Sequence, residues 1–387
     1  MVVTRRIAGH QIARPTFQAP SDLVAWLGAV QAQDYAAVKW AIALRLDDAK
    51  ASDATIERAI DGGELIRMHA MRWTWQIMIP SDARWIIRLV GPRMISRAAG
   101  RNRQLGLDAA TLVTCAKVIC RALEGGNHLT RAELATALDR AKISPAGQRL
   151  AHILGHVELD GLICNGARRG RQPTYTLLDL RAPPLRGEPT RDELLAKLAS
   201  RYFTSRGPAT MRDFMWWSGA TMAETRAALA AIEPALREEV IDGRSYWSTP
   251  AAARTRRSAR SPSVVLLPAF DEYLVAYQDR RDVLETAFKP RLNHGGGLLV
   301  PCVIIDGLVA GTWKRTPGRK EVAIDISMFA QPSRSHRAVI EAAARRYASF
   351  LQLPARIAFV GGKPGAKRNQ PAANAKPTTR SSSRIAL

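Results

Sequence analysis

Behind Ser21, a good N-cap with Asp22 in the first turn, the apolar residues Leu23, Trp26, Leu27 and Val30 recur at helical spacing. The pattern breaks at Gln31-Ala32-Gln33-Asp34 and resumes from residue 36 to about 46, with Asp34 placed to cap the second helix. Ser52 or Asp53 opens a third helix over 54–60, closed by Gly62-Gly63. Residues 64–69 and 72–79 read as two strands with a tight connection, Trp73 and Trp75 projecting from one face. Helices followed by a two-stranded ribbon is the order of a winged helix. Pro80-Ser81-Asp82 caps a further helix over 83–90.

The unit then repeats. Thr130 with Glu133 forms a capping box for a helix to about 140, and a second helix covers 148–159. Residues 162–164 and 174–178 flank a basic hairpin tip, Arg168-Arg169-Gly170-Arg171, suited to phosphate contact at the end of a wing. A proline-rich linker over 182–189 precedes an amphipathic segment over 191–204, a helix over 210–217, and a second capping box, Thr221 with Glu224. Residues 236–241 and 244–248 form a hairpin across Asp242-Gly243. The third part is β-rich, with strands over 264–267, 297–305, 308–314 and 321–326, and Asp306-Gly307 as a hairpin turn. Its helix over 335–351 presents Ile340, Ala344, Tyr347 and Leu351 on one face. The expected fold is α+β, three tandem winged helices followed by a small C-terminal β-barrel. The expected divisions are 1–115, 116–185, 186–255, 256–360 and a disordered basic tail over 361–387.

Charge changes the picture more than composition does. Across 387 residues the formal net charge is +23, with a pI of about 10.8, which favours a polyanion such as nucleic acid. The tail holds six of these charges and no acid, and subtracting them leaves +17, so the rest of the chain is itself basic. Cys115, Cys120, Cys164 and Cys302 form no CxxC and are followed by no paired histidines, so no zinc site is expected; with no GxGxxG before a helix, no Walker loop and no metal-ligand cluster, neither a metal nor a cofactor is expected. With no apolar run of membrane-spanning length and no signal-peptide core, the expectation is a cytoplasmic, nucleoid-associated monomer with no membrane partner.

Candidate chemistry is sparse. Two glutamines one residue apart, Gln31 and Gln33, lie where two apolar helices meet. Buried amides are costly unless partnered, so the pair either fixes packing or faces a cleft and handles a substrate. Asp271 and Glu272 are flanked by apolar residues after a strand; they are candidates for perturbed acids or for holding an arginine at an interface. Gly295-Gly296-Gly297 precedes a strand, which argues against a phosphate cradle.

In order along the chain, Gln31 to Tyr35, His69 to Trp75, Leu266 to Tyr273 and Val303 to Arg315 resemble the winged-helix DNA-binding family that contains the AlkZ and YcaQ DNA glycosylases. The resemblance runs to about residue 330. It implies three winged helices and a β-barrel in a C-shape around damaged double-stranded DNA. It also implies excision of alkylated bases, including bases in interstrand crosslinks. The family's Gln-x-Gln element falls on Gln31 and Gln33, which become the expected catalytic residues, with Asp34 and Asp271 as backups. Within the matching segments Arg72, Trp73, Lys314 and Arg315 join Arg168, Arg169 and Arg171 as expected DNA contacts. Gln76 departs from the pattern, standing where many relatives carry histidine.

The chemistry fits a glycosylase without metal or cofactor. A cationic alkylpurine is already a good leaving group, and an amide can orient water and stabilise an oxocarbenium-like transition state through its carbonyl oxygen. Two other readings stand beside this one: a non-enzymatic DNA-binding regulator, and winged helices used as protein-interaction modules.

Overall fold

The computed structural model describes residues 2–47, 51–250, 263–292 and 299–361. One order of elements recurs three times: helix, short strand, two helices, two-stranded hairpin. In the first unit these are Pro20–Leu27, Val30–Gln31, Tyr35–Ala43, Asp53–Asp61, and the strands Ile66–His69 and Trp75–Met78. Trp75–Met78 is central in its antiparallel sheet, with Gln31 opposite Gln76 and His69 opposite Trp75. The second unit runs Ala109–Leu123, Leu129–Thr130, Arg131–Arg140, Arg149–Leu159, Ile163–Asn165 and Thr174–Leu177. The third runs Arg191–Arg206, Met211–Ser218, Met222–Ile232, Arg237–Ile241 and Arg244–Ser248, with a bridge from Ala209 to Trp247 in place of the short strand.

Local chemistry accounts for most of these boundaries. Asp34 accepts from the Ala37 N–H at 2.9 Å and Ser52 from Thr55 N–H at 3.2 Å, as expected of caps. Complete capping boxes open the helices after Thr130 and Thr221, and further ones open those after Thr190 and Thr210. The helix expected over 83–90 is longer, Pro80–Gln104, and runs through Gly91-Pro92. Tertiary packing overrides the proline here: a side chain at Gly91 would sit 2.4 Å from the Leu159 carbonyl oxygen, so only glycine permits this contact. The helix Ala109–Leu123 spans the division expected at 115/116.

The C-terminal part differs from the barrel expected. It is an open five-stranded sheet, in the order Ala355–Phe359, Val322–Met328, Leu308–Pro317, Cys302–Ile305, Val264–Leu267. Among the described residues the two outer strands do not pair. The chain leaves Val322–Met328 through the helix Arg334–Phe350 and returns as a parallel edge strand, which widens the sheet instead of closing it. Ile340, Ala344 and Tyr347 of that helix are fully buried, while Leu351 is only partly so. The Asp306-Gly307 turn is present with both residues at positive φ. A side chain on Gly307 would collide with Val3 and Ile7 of the N-terminal helix Val2–Gly9. The glycine run at 295–297, nearly all of the basic, serine-rich segment over 254–263 that reads in the sequence as a flexible linker, and the tail beyond residue 361 lie outside the described residues.

The hydrophobic cores cross the repeat. One joins Leu23, Leu27, Trp40 and Ile60 of the first unit to Leu266, Trp313 and Ile324 of the open sheet and Tyr347 of the helix packed on it. A second joins Met68, Met78 and Trp85 to Tyr202, Phe214 and Trp217 of the third unit. The third core, around Cys115, Ile119, Leu134 and Ile153, belongs to the second unit with little outside help.

Candidate active site

Gln31 ends a two-residue strand and is buried, while Gln33, two residues on, is exposed. Gln31 is held at both ends. Its backbone N–H donates to Glu272 Oε1 at 2.9 Å, and its side-chain Oε1 accepts from Arg72 Nη2 at 2.8 Å. Gln33 is held loosely: its Oε1 lies 3.4 Å from the Trp75 N–H, while the Ala32 N–H donates to the Trp75 carbonyl at 2.7 Å.

Below Gln31 lies a buried charge cluster. Glu272 Oε2 accepts from Arg206 Nη2 at 2.6 Å, Arg206 Nε at 3.1 Å and Trp217 Nε1 at 3.1 Å. Arg206 also donates to the carbonyls of Leu27 at 2.6 Å and Ala29 at 2.9 Å. Both charges are almost fully shielded from water, and such a pair is tolerated only when its remaining donors and acceptors are matched. Asp271, the neighbour of Glu272, forms a two-pronged pair with Arg45 at 2.6 and 2.8 Å and accepts from the Tyr273 N–H. These two acids therefore hold arginines between parts of the chain, the second of the roles open to them.

Arg72 sits in a 3-10 turn, Met71–Trp73, where it and Trp73 both take left-handed backbone angles, φ 58° and 56°. That turn aims the guanidinium inward, and Nη1 donates to the Trp217 carbonyl at 2.6 Å. Burial lowers the Arg72 pKa, and the Glu272 charge opposes that effect. Trp73 packs on the helix Arg149–Leu159, close to His152 and against Gly155, where a Cβ would lie 2.9 Å from the ring. Trp75 is covered by Arg67 on one side, 3.9 Å from its ring, and contacts His69 at a centroid distance of 4.1 Å. Arg67 also donates to the Ala32 carbonyl between the two glutamines, at 3.0 Å. His69 in turn pairs with the buried Glu158.

The remaining expected residues fall in three places. Asp34 caps its helix and lies 3.6 Å from Arg315, which also donates to Tyr347 Oη at 2.7 Å. Lys314 is exposed on the neighbouring strand position, opposite Asp325. Arg168 is turned into the protein, 2.5 Å from Glu57, whose carboxylate also takes the Tyr35 hydroxyl and Lys39. Burial, then the bond to Glu57, raises the Tyr35 pKa. Arg169 is exposed but paired with Glu133 at 2.7 Å, and Arg171 is exposed at the tip. The structure thus gathers Gln31, Gln33, Asp34, Arg72 and Arg315 around one strand end; Asp271, Arg168 and Arg169 are set apart by their partners, and Arg171 by its place at the exposed tip. Sequence reasoning missed Arg67, Arg206 and Trp217 as members of this neighbourhood. Arg206 carries no local signal, because it lies on an amphipathic helix 175 positions from Gln31. Among the described residues no group of three or more His, Cys, Asp or Glu could hold a metal ion, and no helix is long and apolar enough to cross a membrane.

The solved structure of the Streptomyces sahachiroi DNA glycosylase AlkZ matches with a TM-score of 0.73 at 24% identity, over 92% of this chain and 98% of that one. The interstrand DNA cross-link repair glycosylase of Streptomyces sahachiroi is 26% identical over 318 residues, 79% of this chain and 85% of the relative. The chain belongs to the family described as DNA glycosylase AlkZ-like, whose model matches residues 24–350. Membership decides among the three readings of the sequence in favour of the DNA repair glycosylase.

Proposed function

We propose that the enzyme excises alkylated purines from double-stranded DNA, including purines tied into interstrand crosslinks, with Gln31 and Gln33 at the reacting centre. The observation that carries this reading is the contrast within the pair: one amide is buried and fixed, the other exposed beside it. A purely structural pair has no need of the exposed member. The relative's name, with its cross-link repair activity, supports the crosslink substrate.

The reaction is hydrolysis of the bond between C1′ and N9. A guanine alkylated at N7 is cationic, so it leaves as a neutral base, taking the C1′–N9 electron pair. Water oxygen forms the new bond to C1′ and its surplus proton passes to solvent. A neutral amide does not titrate near pH 7, so its contribution is positioning of water and electrostatic stabilisation of charge at the sugar. The DNA itself is held by positive charge, for which Lys314, Arg171 and Arg169 are exposed candidates. Arg72, Trp73 and Arg315 have protein partners, and we assign them to shaping the site; Arg168, paired with Glu57, we assign to holding the hairpin tip against the first unit.

We read the three repeated units as winged helices arranged in a C around duplex DNA, with the first division shifted ahead of the helix Ala109–Leu123. The protein acts as a monomer in the compartment of the nucleoid. The test is chromatography of bases freed from methylated duplex and from a duplex crosslinked through guanine N7. Free 7-methylguanine and an unhooked crosslink are expected. No base released at enzyme excess, from duplex that the enzyme binds, would sink the assignment.

A further inference from the structure

The two glutamines are chemically equivalent in sequence, but their surroundings are not. Arginine has five N–H donors and no acceptor, so the Gln31 atom facing Arg72 must be its oxygen. The usual ambiguity between the two ends of an amide is removed by that partner. Burial and the second Arg72 bond, to the Trp217 carbonyl, leave the Gln31 amide no freedom to turn over. Its nitrogen, with two donors, has no partner among the described residues. Gln33 is exposed, and its one contact is at 3.4 Å, so its amide rotates at little cost and can offer its oxygen.

We propose that Arg72 is a positioning residue that fixes Gln31 as a hydrogen-bond donor to the lesion nucleotide and leaves Gln33 as the acceptor that orients the attacking water. This rests on the reading of Gln31 and Gln33 as the reacting centre. The geometry behind it is unusual for a purely structural arginine. A positive-φ turn, held by Trp73 against Gly155 of the second unit, delivers the guanidinium to a carbonyl of the third unit and to Gln31 of the first. Three units thus converge on the orientation of one amide. In the reaction, water oxygen donates a hydrogen to the Gln33 carbonyl as it bonds to C1′. The Gln31 N–H groups meet an acceptor on the departing nucleotide, where electron density grows as the C1′–N9 pair moves to the base.

The test is single-turnover release of 7-methylguanine from methylated duplex, with duplex affinity measured beside it. Arg72→Met is expected to slow release by about tenfold to a hundredfold, with affinity changed by less than about threefold, the loss typical of a misplaced catalytic group. Arg72→Lys, which keeps the charge on a single donor nitrogen, is expected to recover part of the rate. A second pair of variants leaves Arg72 untouched. Gln31→Glu has no N–H to give and is expected to lose activity; Gln33→Glu keeps an acceptor and is expected to retain it. A wild-type rate for Arg72→Met, a loss confined to binding, or an active Gln31→Glu beside an inactive Gln33→Glu would overturn the assignment of Arg72. If the wild-type enzyme releases no base, the glycosylase site itself is wrong and this assignment falls with it.

Discussion

Asp271 and Glu272 are neighbours in sequence, both buried, and neither has an idle oxygen facing a substrate. Their apolar flanks made them visible in the sequence, but the partner that decides their role is far away in each case: Arg45 for one, Arg206 for the other. Pairing across 226 or 66 positions has no local signature, which is why catalysis and ion pairing could not be separated beforehand. Gln31 and Gln33 were legible as polar intrusions between apolar helices. Their difference was not, because it depends on Arg72 and Trp75 arriving from the hairpin. Glu272→Gln leaves Arg206 with a buried, uncompensated charge and is expected to destabilise the protein by about 3–5 kcal/mol. Urea unfolding of the variant beside wild type checks this; a change below about 1 kcal/mol would mean that the pair is solvated in solution.

At the scale of elements, helix starts were the most readable feature, since a capping box is written in four consecutive residues. Thr130 with Glu133 and Thr221 with Glu224 close as expected, and backbone bonds from Thr130, then the Arg169 bond, hold the Glu133 carboxylate down at about 2. Helix ends and edge strands were less readable. The helix expected over 83–90 continues through Pro92 to Gln104, with Gly91 packed on Leu159. The strand Ala355–Phe359 was not foreseen; with it the sheet gains a parallel edge and remains open. Arg72 and Trp73, expected in the strand over 72–79, lie instead in the connecting turn Met71–Trp73, a strained element with both residues at positive φ. Trp73 holds that turn against Gly155. Gly155→Ala puts a methyl 2.9 Å from the ring and is expected to cost about 1–3 kcal/mol by overpacking. It should also slow base release more than duplex binding, because the displaced turn carries Arg72. Loss of stability with unchanged release per folded molecule would separate the wedge from the site.

Across the whole molecule, the repeat seen in sequence does not give independent modules. The first unit shares a core with the open sheet and another with the third unit, whereas the second unit has a core nearly its own. His10 lies in the join between the N-terminal helix and the segment around Tyr277. The Tyr277 hydroxyl donates to the Arg206 carbonyl at 2.7 Å, so His10 Nε2 donates to the Tyr277 oxygen at 2.9 Å, and Nδ1 is buried without a partner. Burial first, and then Arg45, Arg206 and Arg6, push the His10 pKa well below its ordinary value of 6.5. The unfolded chain therefore binds this proton more readily than the folded one. Stability from neutral His10 is fully present above pH 6.5 and declines as the pH falls towards the folded pKa. The melting temperature should drop from pH 7.5 to pH 5, and His10→Gln should flatten that slope; an unchanged slope would assign acid sensitivity to other groups. Such tests bear on how the cores hold the strand end in place. The catalytic role of Gln33 is read most directly from single-turnover release of 7-methylguanine by Gln33→Ala beside wild type, on methylated duplex that both proteins saturate. A rate reduced by about a hundredfold or more at equal binding is expected; equal rates at equal binding would contradict that role.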